Sequence, residues 1–115
     1  MENIATHLPA VTADNFEQAV TQASRERLVL VDFWAAWCGP CKALAPILEE
    51  AQQVRGDGVK IVKVDVDENP RLAALHGIRS LPTLAFFRDG RKVDELIGLQ
   101  SLPAVLARID ANASA

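Results

Sequence analysis

The chain has 115 residues with a formal net charge of −3, and half of its residues are hydrophobic. This length and composition are sufficient for one domain with its own core, which we expect to span residues 1–115. No cluster of about five or more Lys and Arg residues is present, which argues against a nucleic-acid partner. Residues 1–8 lack the basic and apolar regions of a secretory signal, and no apolar run approaches the roughly 20 residues that span a bilayer. We therefore expect a monomeric, cytoplasmic protein that does not enter a membrane.

The first half of the chain predicts one helix, followed by a strand–helix–strand unit. Thr12 is a candidate N-cap of a first helix, whose apolar face follows a helical period: Phe16, Ala19, Val20 and Ala23. The apolar run 28–34 predicts a buried strand, and a helix follows from about Pro40. A second buried strand is predicted over 59–64. This spacing is typical of two parallel strands joined by a right-handed crossover.

The second half of the chain predicts further short elements. Asn69 is a candidate cap of a helix that has Pro70 at its first position and ends at Gly77. The runs 83–88 and 92–97 flank residues 89–91, which is a hairpin pattern. Ser101 is a candidate cap of a last helix. The predicted fold class is α/β, with a central mixed sheet of four to five strands between two helical layers.

The only two cysteines of the chain lie in the segment Trp37-Cys38-Gly39-Pro40-Cys41-Lys42, directly after the first predicted strand. A Cys-x-x-Cys pair at the start of a helix that follows a strand is typical of a redox site. A purely stabilising disulfide is a weak alternative, because closing so small a loop removes little entropy from the unfolded chain. A zinc site is the other alternative. Zinc needs four ligands, and only His7 and His76, which we expect at the surface, could complete the set.

These segments resemble the thioredoxin family over nearly the whole chain. The resemblance rests on the cysteine segment and on eight further ones: Asp32-Phe33-Trp34-Ala35, Ala45-Pro46, Lys63-Val64-Asp65, Asp67-Glu68-Asn69-Pro70, Gly77-Ile78-Arg79, Leu81-Pro82-Thr83, Asp89-Gly90 and Gly98. It implies a thioredoxin fold and a thiol–disulfide oxidoreductase that reduces protein disulfides. The sequence departs from the commonest family pattern at His76, where an aromatic residue is frequent, and at Leu81.

The resemblance also implies roles for the two cysteines. Cys38 is expected to be exposed at the helix start and to attack the client as a thiolate. Cys41, one turn inside, is expected to be shielded and to resolve the mixed disulfide. No bound cofactor or metal is expected, because the cysteine pair itself carries the electrons. A flavoprotein, thioredoxin reductase, is the implied partner that restores the dithiol with electrons from NADPH.

Asp32 interrupts an otherwise apolar strand, where a carboxylate is costly unless it is paired or protonated. It could be satisfied by a nearby helix cap. The alternative, which the resemblance supports, is a proton acceptor for Cys41 with a raised pKa, acting through a water molecule. Lys63 in the neighbouring strand is the candidate ion partner of Asp32; otherwise it is a solvated lysine at the sheet edge.

The remaining candidate residues concern client proteins. An X-Pro bond is trans by default, but the resemblance implies a cis bond at Pro82 that faces the disulfide. Trp34 is expected to pack in the core. The predicted client-binding residues are Trp37, Gly39, Pro40, Leu81, Pro82 and Gly98. Two rival functions remain: a thiol oxidase or isomerase with the same fold, and a binding module that acts independently of its redox state.

Overall fold

The helices and strands of the computed structural model, which describes residues 8–113, follow the predicted order. A π-helix, Glu17–Gln22, continues into a 3-10 helix, Ala23–Arg25, and a second 3-10 helix covers Gly56–Gly58. The remaining elements are β1 (Leu28–Trp34), α1 (Gly39–Arg55), β2 (Val59–Asp65), α2 (Pro70–Leu75), β3 (Thr83–Arg88), β4 (Arg91–Ile97) and α3 (Leu102–Ala113). The assignment of residues 1–115 to one domain stays a prediction.

The sheet has the order β2-β1-β3-β4, so β1 lies between two other strands. β1 and β2 are parallel, as the strand–helix–strand spacing predicts, and the other two pairings are antiparallel. Within the described residues the sheet therefore has four strands, extended only by an isolated parallel bridge between Ala10 and Lys63. This is the predicted mixed sheet of the thioredoxin fold. β1 is central and leads directly into the cysteine segment.

The core has two halves, one on each face of the sheet, because alternate residues of β1 point to opposite sides. Leu28 and Leu30 pack with α1 and α3 on one face. Val29, Val31 and Phe33 pack with the N-terminal helical segment and α2 on the other face. Both faces of β1 are thus covered. A strand covered on both sides gives the cysteine segment a rigid base.

The N-terminal helical segment differs from its prediction. Thr12 does not cap it, because the Thr12 amide and hydroxyl both donate to Asn15 Oδ1, at 2.8 and 3.4 Å. This contact closes a separate turn, and Phe16 takes the N-cap position without a side-chain cap. The apolar periodicity located the buried face, with Val20 fully buried. It did not indicate that most of the segment is π-helical.

Asn69 is also not a side-chain cap of α2, although it occupies the N-cap position. Its Oδ1 accepts from the Ala13 amide at 2.9 Å, and its Nδ2 donates to the Asp65 carbonyl at 3.0 Å. The side chain therefore ties the N-terminal turn to the end of β2. Ser101 does cap α3, because its hydroxyl accepts from the Ala104 amide at 3.2 Å.

The predicted hairpin forms, with one residue fewer in its turn than expected. Arg88 pairs with Arg91, which leaves only Asp89 and Gly90 between the strands. Both turn residues have positive φ, 56° and 86°, as a type I′ turn requires. Gly90 has a second constraint, because a Cβ there would lie 2.7 Å from the Arg25 guanidinium. β4 consequently begins at Arg91.

Candidate functional site

The cysteine pair lies where β1 passes into α1. Cys38 has extended backbone geometry and is the N-cap of the helix, so the chain turns sharply at this residue. The Cys41 amide donates to Cys38 Sγ at 3.2 Å, and the two sulfur atoms form a disulfide. The first amides of a helix have no carbonyl partner within it. One of them here points at the sulfur of Cys38, where it can stabilise a negative charge.

Both cysteines are buried in this oxidised form, with exposed fractions of 4% for Cys38 and 2% for Cys41. The expectation that Cys38 is exposed is therefore wrong for this state. The disulfide packs with the buried Ala35 and with three partly buried side chains: Trp34, Val66 and Leu81. Burial alone does not distinguish the two cysteines. Their asymmetry lies in the hydrogen bond, which Cys38 accepts and Cys41 donates.

Asp32 is buried within β1, with 4% of its surface exposed. Its Oδ1 atom has no hydrogen-bond partner among the described residues, which excludes the helix-cap alternative for that oxygen. Burial raises the pKa of Asp32 to about 7, and the charge of Lys63 opposes this effect. A carboxyl group with such a pKa can both accept and release a proton near neutral pH.

Lys63 lies opposite Asp32 in the parallel register of β1 and β2. Its charge lowers the pKa of Asp32, but no ion pair within 4.0 Å joins the two side chains in the described structure. The Lys63 ammonium lies 5.2 Å from the centre of the Trp34 ring. Cations favour the face of an aromatic ring. The partly buried indole of Trp34 therefore contacts both the disulfide and the lysine.

The loop before β3 contains the predicted proline. The Leu81–Pro82 peptide bond is cis, which confirms the expectation from the family resemblance. The Pro82 carbonyl accepts from the Gly98 amide at 2.8 Å, and the Thr83 hydroxyl donates to the Ser80 carbonyl at 2.6 Å. Leu81 packs against the disulfide. The fold thus brings Gly98, which follows β4, against the loop of Leu81 and Pro82.

Trp37 is a large apolar residue of the cysteine segment that lies exposed at the surface. Its exposed fraction is 70%, and its indole Nε1 donates to Asp67 Oδ2 at 2.8 Å. Gly39 and Pro40 are exposed beside it. Sequence analysis missed the roles of Val66 and Asp67, which follow β2. Asp67 lies in a segment that carried the family resemblance, but no spacing rule connects it with Trp37, 30 residues away.

His76 is not the surface residue that the sequence predicted. It is partly buried, and its ring centre lies 4.9 Å from that of Phe16 and 5.5 Å from that of Phe87. Burial, with a smaller contribution from Lys92, lowers the pKa of His76. His7 lies outside the described residues. Among residues 8–113, no group of three or more His, Cys, Asp or Glu side chains could hold a metal ion.

Within residues 8–113, none of the helices is long and apolar enough to cross a bilayer.

Comparisons with known proteins agree with this geometry. The family model described as Thioredoxin matches residues 7–111. Thioredoxin 1 of Synechococcus elongatus is 53% identical over 89 residues, which cover 77% of this chain and 81% of that protein. Bacillus subtilis thioredoxin is 47% identical over 89 residues, with coverage of 77% and 86%. The solved structure of Malassezia sympodialis thioredoxin has a TM-score of 0.81 at 38% identity and covers 91% of this chain and 90% of its own.

Proposed function

This chain belongs to the thioredoxin family and is a protein-disulfide reductase with a redox-active cysteine pair, and we propose that Cys38 is its attacking cysteine and Cys41 its resolving cysteine. The observation that carries this assignment is the Cys41 amide, which donates to Cys38 Sγ at 3.2 Å. A hydrogen bond to the charged form of a group lowers the pKa of an acid. Cys38 is thereby favoured as the thiolate, which is the nucleophile in disulfide exchange.

The reaction proceeds in two exchanges. The Cys38 thiolate attacks one sulfur of the client disulfide, a new S–S bond forms, and the other client sulfur leaves as a thiolate. The Cys41 thiolate then attacks Cys38 Sγ, which closes the Cys38–Cys41 disulfide and releases the second client thiolate. Two electrons pass from the protein to the client. Asp32 accepts the proton of the Cys41 thiol, for which its pKa of about 7 is suited, and the charge of Lys63 keeps that pKa from rising further.

Client proteins bind to the surface around the disulfide. Trp37, Gly39 and Pro40 form one side, and Leu81, Pro82 and Gly98 form the other. The support is that Leu81 packs on the disulfide while Trp37 remains exposed. An extended client segment could pair its backbone with the loop of Pro82.

Two electrons must return to the protein after each cycle. The proposed source is NADPH, through thioredoxin reductase, and the proposed compartment is the cytoplasm. Only the family membership supports these points, and the monomeric state stays a prediction.

A trapping experiment tests the two cysteine roles. We expect Cys41→Ser to accumulate mixed disulfides with a disulfide-containing client, because no thiol remains to resolve them. Cys38→Ser is the matched control and should form few. In the reduced wild type, iodoacetamide at neutral pH should alkylate Cys38 faster than Cys41. Equal alkylation rates, or equal trapping by both variants, would contradict the assignment.

A further inference from the structure

A cleft of about 450 Å³ lies beside the first residues of β1 and β2, whereas the cysteines follow the end of β1. Its lining combines two cations and two acids with one small residue: Ala23, Glu26, Arg27, Asp57 and Lys60. None of these residues takes part in the redox site described above. The lining contains Lys60, whose amine is held by a backbone carbonyl.

Lys60 is held in a defined position within this cleft. It lies opposite Val29 in the sheet and is partly buried. Its Nζ atom donates to the Ala19 carbonyl at 2.8 Å. That contact reduces the number of rotamers that the side chain can sample.

Arg27 is the cation that accompanies Lys60. Its Nη1 atom lies 3.7 Å from Asp57 Oδ1 and 3.4 Å from the Asp57 carbonyl oxygen, so the guanidinium stays at the cleft. Burial, followed by the charge of Arg27, lowers the pKa of Lys60. The acids that face the cleft are Glu26 and Asp57. A lowered pKa increases the fraction of neutral amine, which is the nucleophilic form.

We propose that Lys60 is an acylation site for small acyl phosphates, with Arg27 attracting the phosphate of the donor. The neutral amine attacks the acyl carbonyl carbon, and a C–N bond forms. The C–O bond to the phosphate breaks, and inorganic phosphate leaves with that electron pair. The amine loses one proton to the solvent, so the product is a neutral amide. No oxidant or reductant is required.

The four lysines of the chain provide an internal comparison for the test. Lys42 is exposed, Lys92 is paired with Glu95 at 2.6 Å, and Lys63 lies over Trp34. The oxidised protein would be incubated with acetyl phosphate near pH 7.5, and the acetylation rate of each lysine measured by peptide mass spectrometry. We expect Lys60 to react at least about twofold faster than Lys42, because burial and a neighbouring cation favour the neutral amine. A Lys60 rate equal to or below that of Lys42 would overturn the proposal.

Two variants that change the charge of the cleft in opposite directions test the role of Arg27. Arg27→Gln should slow Lys60 acetylation by acetyl phosphate, and Asp57→Asn should accelerate it, each by about twofold. With acetic anhydride, a neutral donor, the effect of Arg27→Gln should be smaller, because no phosphate has to be attracted. A structural disturbance of the cleft would change the acetylation rate of Lys60 in the same direction in both variants. That result, or equal effects with both donors, would overturn the assignment of Arg27.

Discussion

At the scale of single residues, the protonation of Asp32 links the stability of the fold to its chemistry. The pKa of this carboxyl group is 3.8 without the fold and about 7 within it. A raised pKa in an acid means that folding disfavours the charged form. The penalty is absent below pH 3.8, grows as the pH rises from 3.8 to about 7, and is complete above that. It amounts to roughly 4 kcal/mol at high pH.

The variant Asp32→Asn should therefore be more stable than the wild type at pH 8, by roughly 1–3 kcal/mol, because a buried amide still has a desolvation cost. Near pH 4 the two proteins should differ little. Urea denaturation at both values measures the difference. The same variant should reduce clients more slowly, because Asn cannot accept the proton of Cys41. A gain in stability that is equal at both pH values, with unchanged activity, would show that Asp32 is only structural.

Lys63→Gln tests the charge interaction across β1 and β2. Removing the cation should raise the pKa of Asp32 above about 7, because Lys63 is the group that lowers it. Carbon NMR of the labelled Asp32 carboxyl group during a pH titration measures this shift. Lys92→Gln removes a lysine whose partner is Glu95 and should leave the titration unchanged. Equal titration curves for all three proteins would remove Lys63 from the site.

The sequence was sufficient to identify the residues proposed to carry the chemistry, because their types are rare in their surroundings. Two cysteines three apart and one acid in an apolar strand can be recognised without a structure. The burial of Cys38 and the aromatic neighbours of His76 could not be predicted in the same way. Both depend on side chains from distant segments, such as Leu81 against the disulfide and Phe87 against the histidine.

At the scale of elements, strands were the most predictable part of the fold. β1 is buried on both faces, so its apolar run begins and ends with the strand itself. The N-terminal helical segment was less predictable, because π and α turns bury similar faces. Asn69 shows the same limit: a cap and a bridge between segments use the same amide, and only the position of Ala13 in space distinguishes them.

Asn69→Ser separates these two roles of the residue. Serine is as good a helix cap as asparagine, but its short side chain cannot reach both the Ala13 amide and the Asp65 carbonyl. We expect a loss of about 1–2 kcal/mol in the free energy of unfolding, since two partly buried hydrogen bonds are lost. Ser101→Asn, at a position that does cap its helix, should change stability little. If Asn69→Ser were as stable as the wild type, the bridge would contribute nothing.

At the scale of the whole molecule, the central strand β1 contains Asp32 and leads into the segment of Cys38 and Cys41. Reduction opens the disulfide and allows a thiolate to form at Cys38, in the segment that follows β1, the strand that contains the buried Asp32. Two negative charges in a poorly solvated region repel each other. Lys42 is the only cation next to either cysteine in the sequence, and it is exposed. The fold therefore offers the reduced form little extra stabilisation.

The small stabilisation of the reduced form predicts the direction of electron transfer. A strong oxidant has a stabilised reduced form and a very low thiolate pKa. Here we expect the oxidised protein to be the more stable form in guanidinium at pH 7. The reduction potential should lie near the value of about −270 mV that is typical of thioredoxins. Denaturation of both forms, together with a redox titration against glutathione, measures these quantities. A reduced form that is more stable than the oxidised form, with a potential near −120 mV, would be the behaviour of an oxidant and would contradict the reductase function. The two potentials are far apart in free energy, since about 1.4 kcal/mol accompanies each 30 mV.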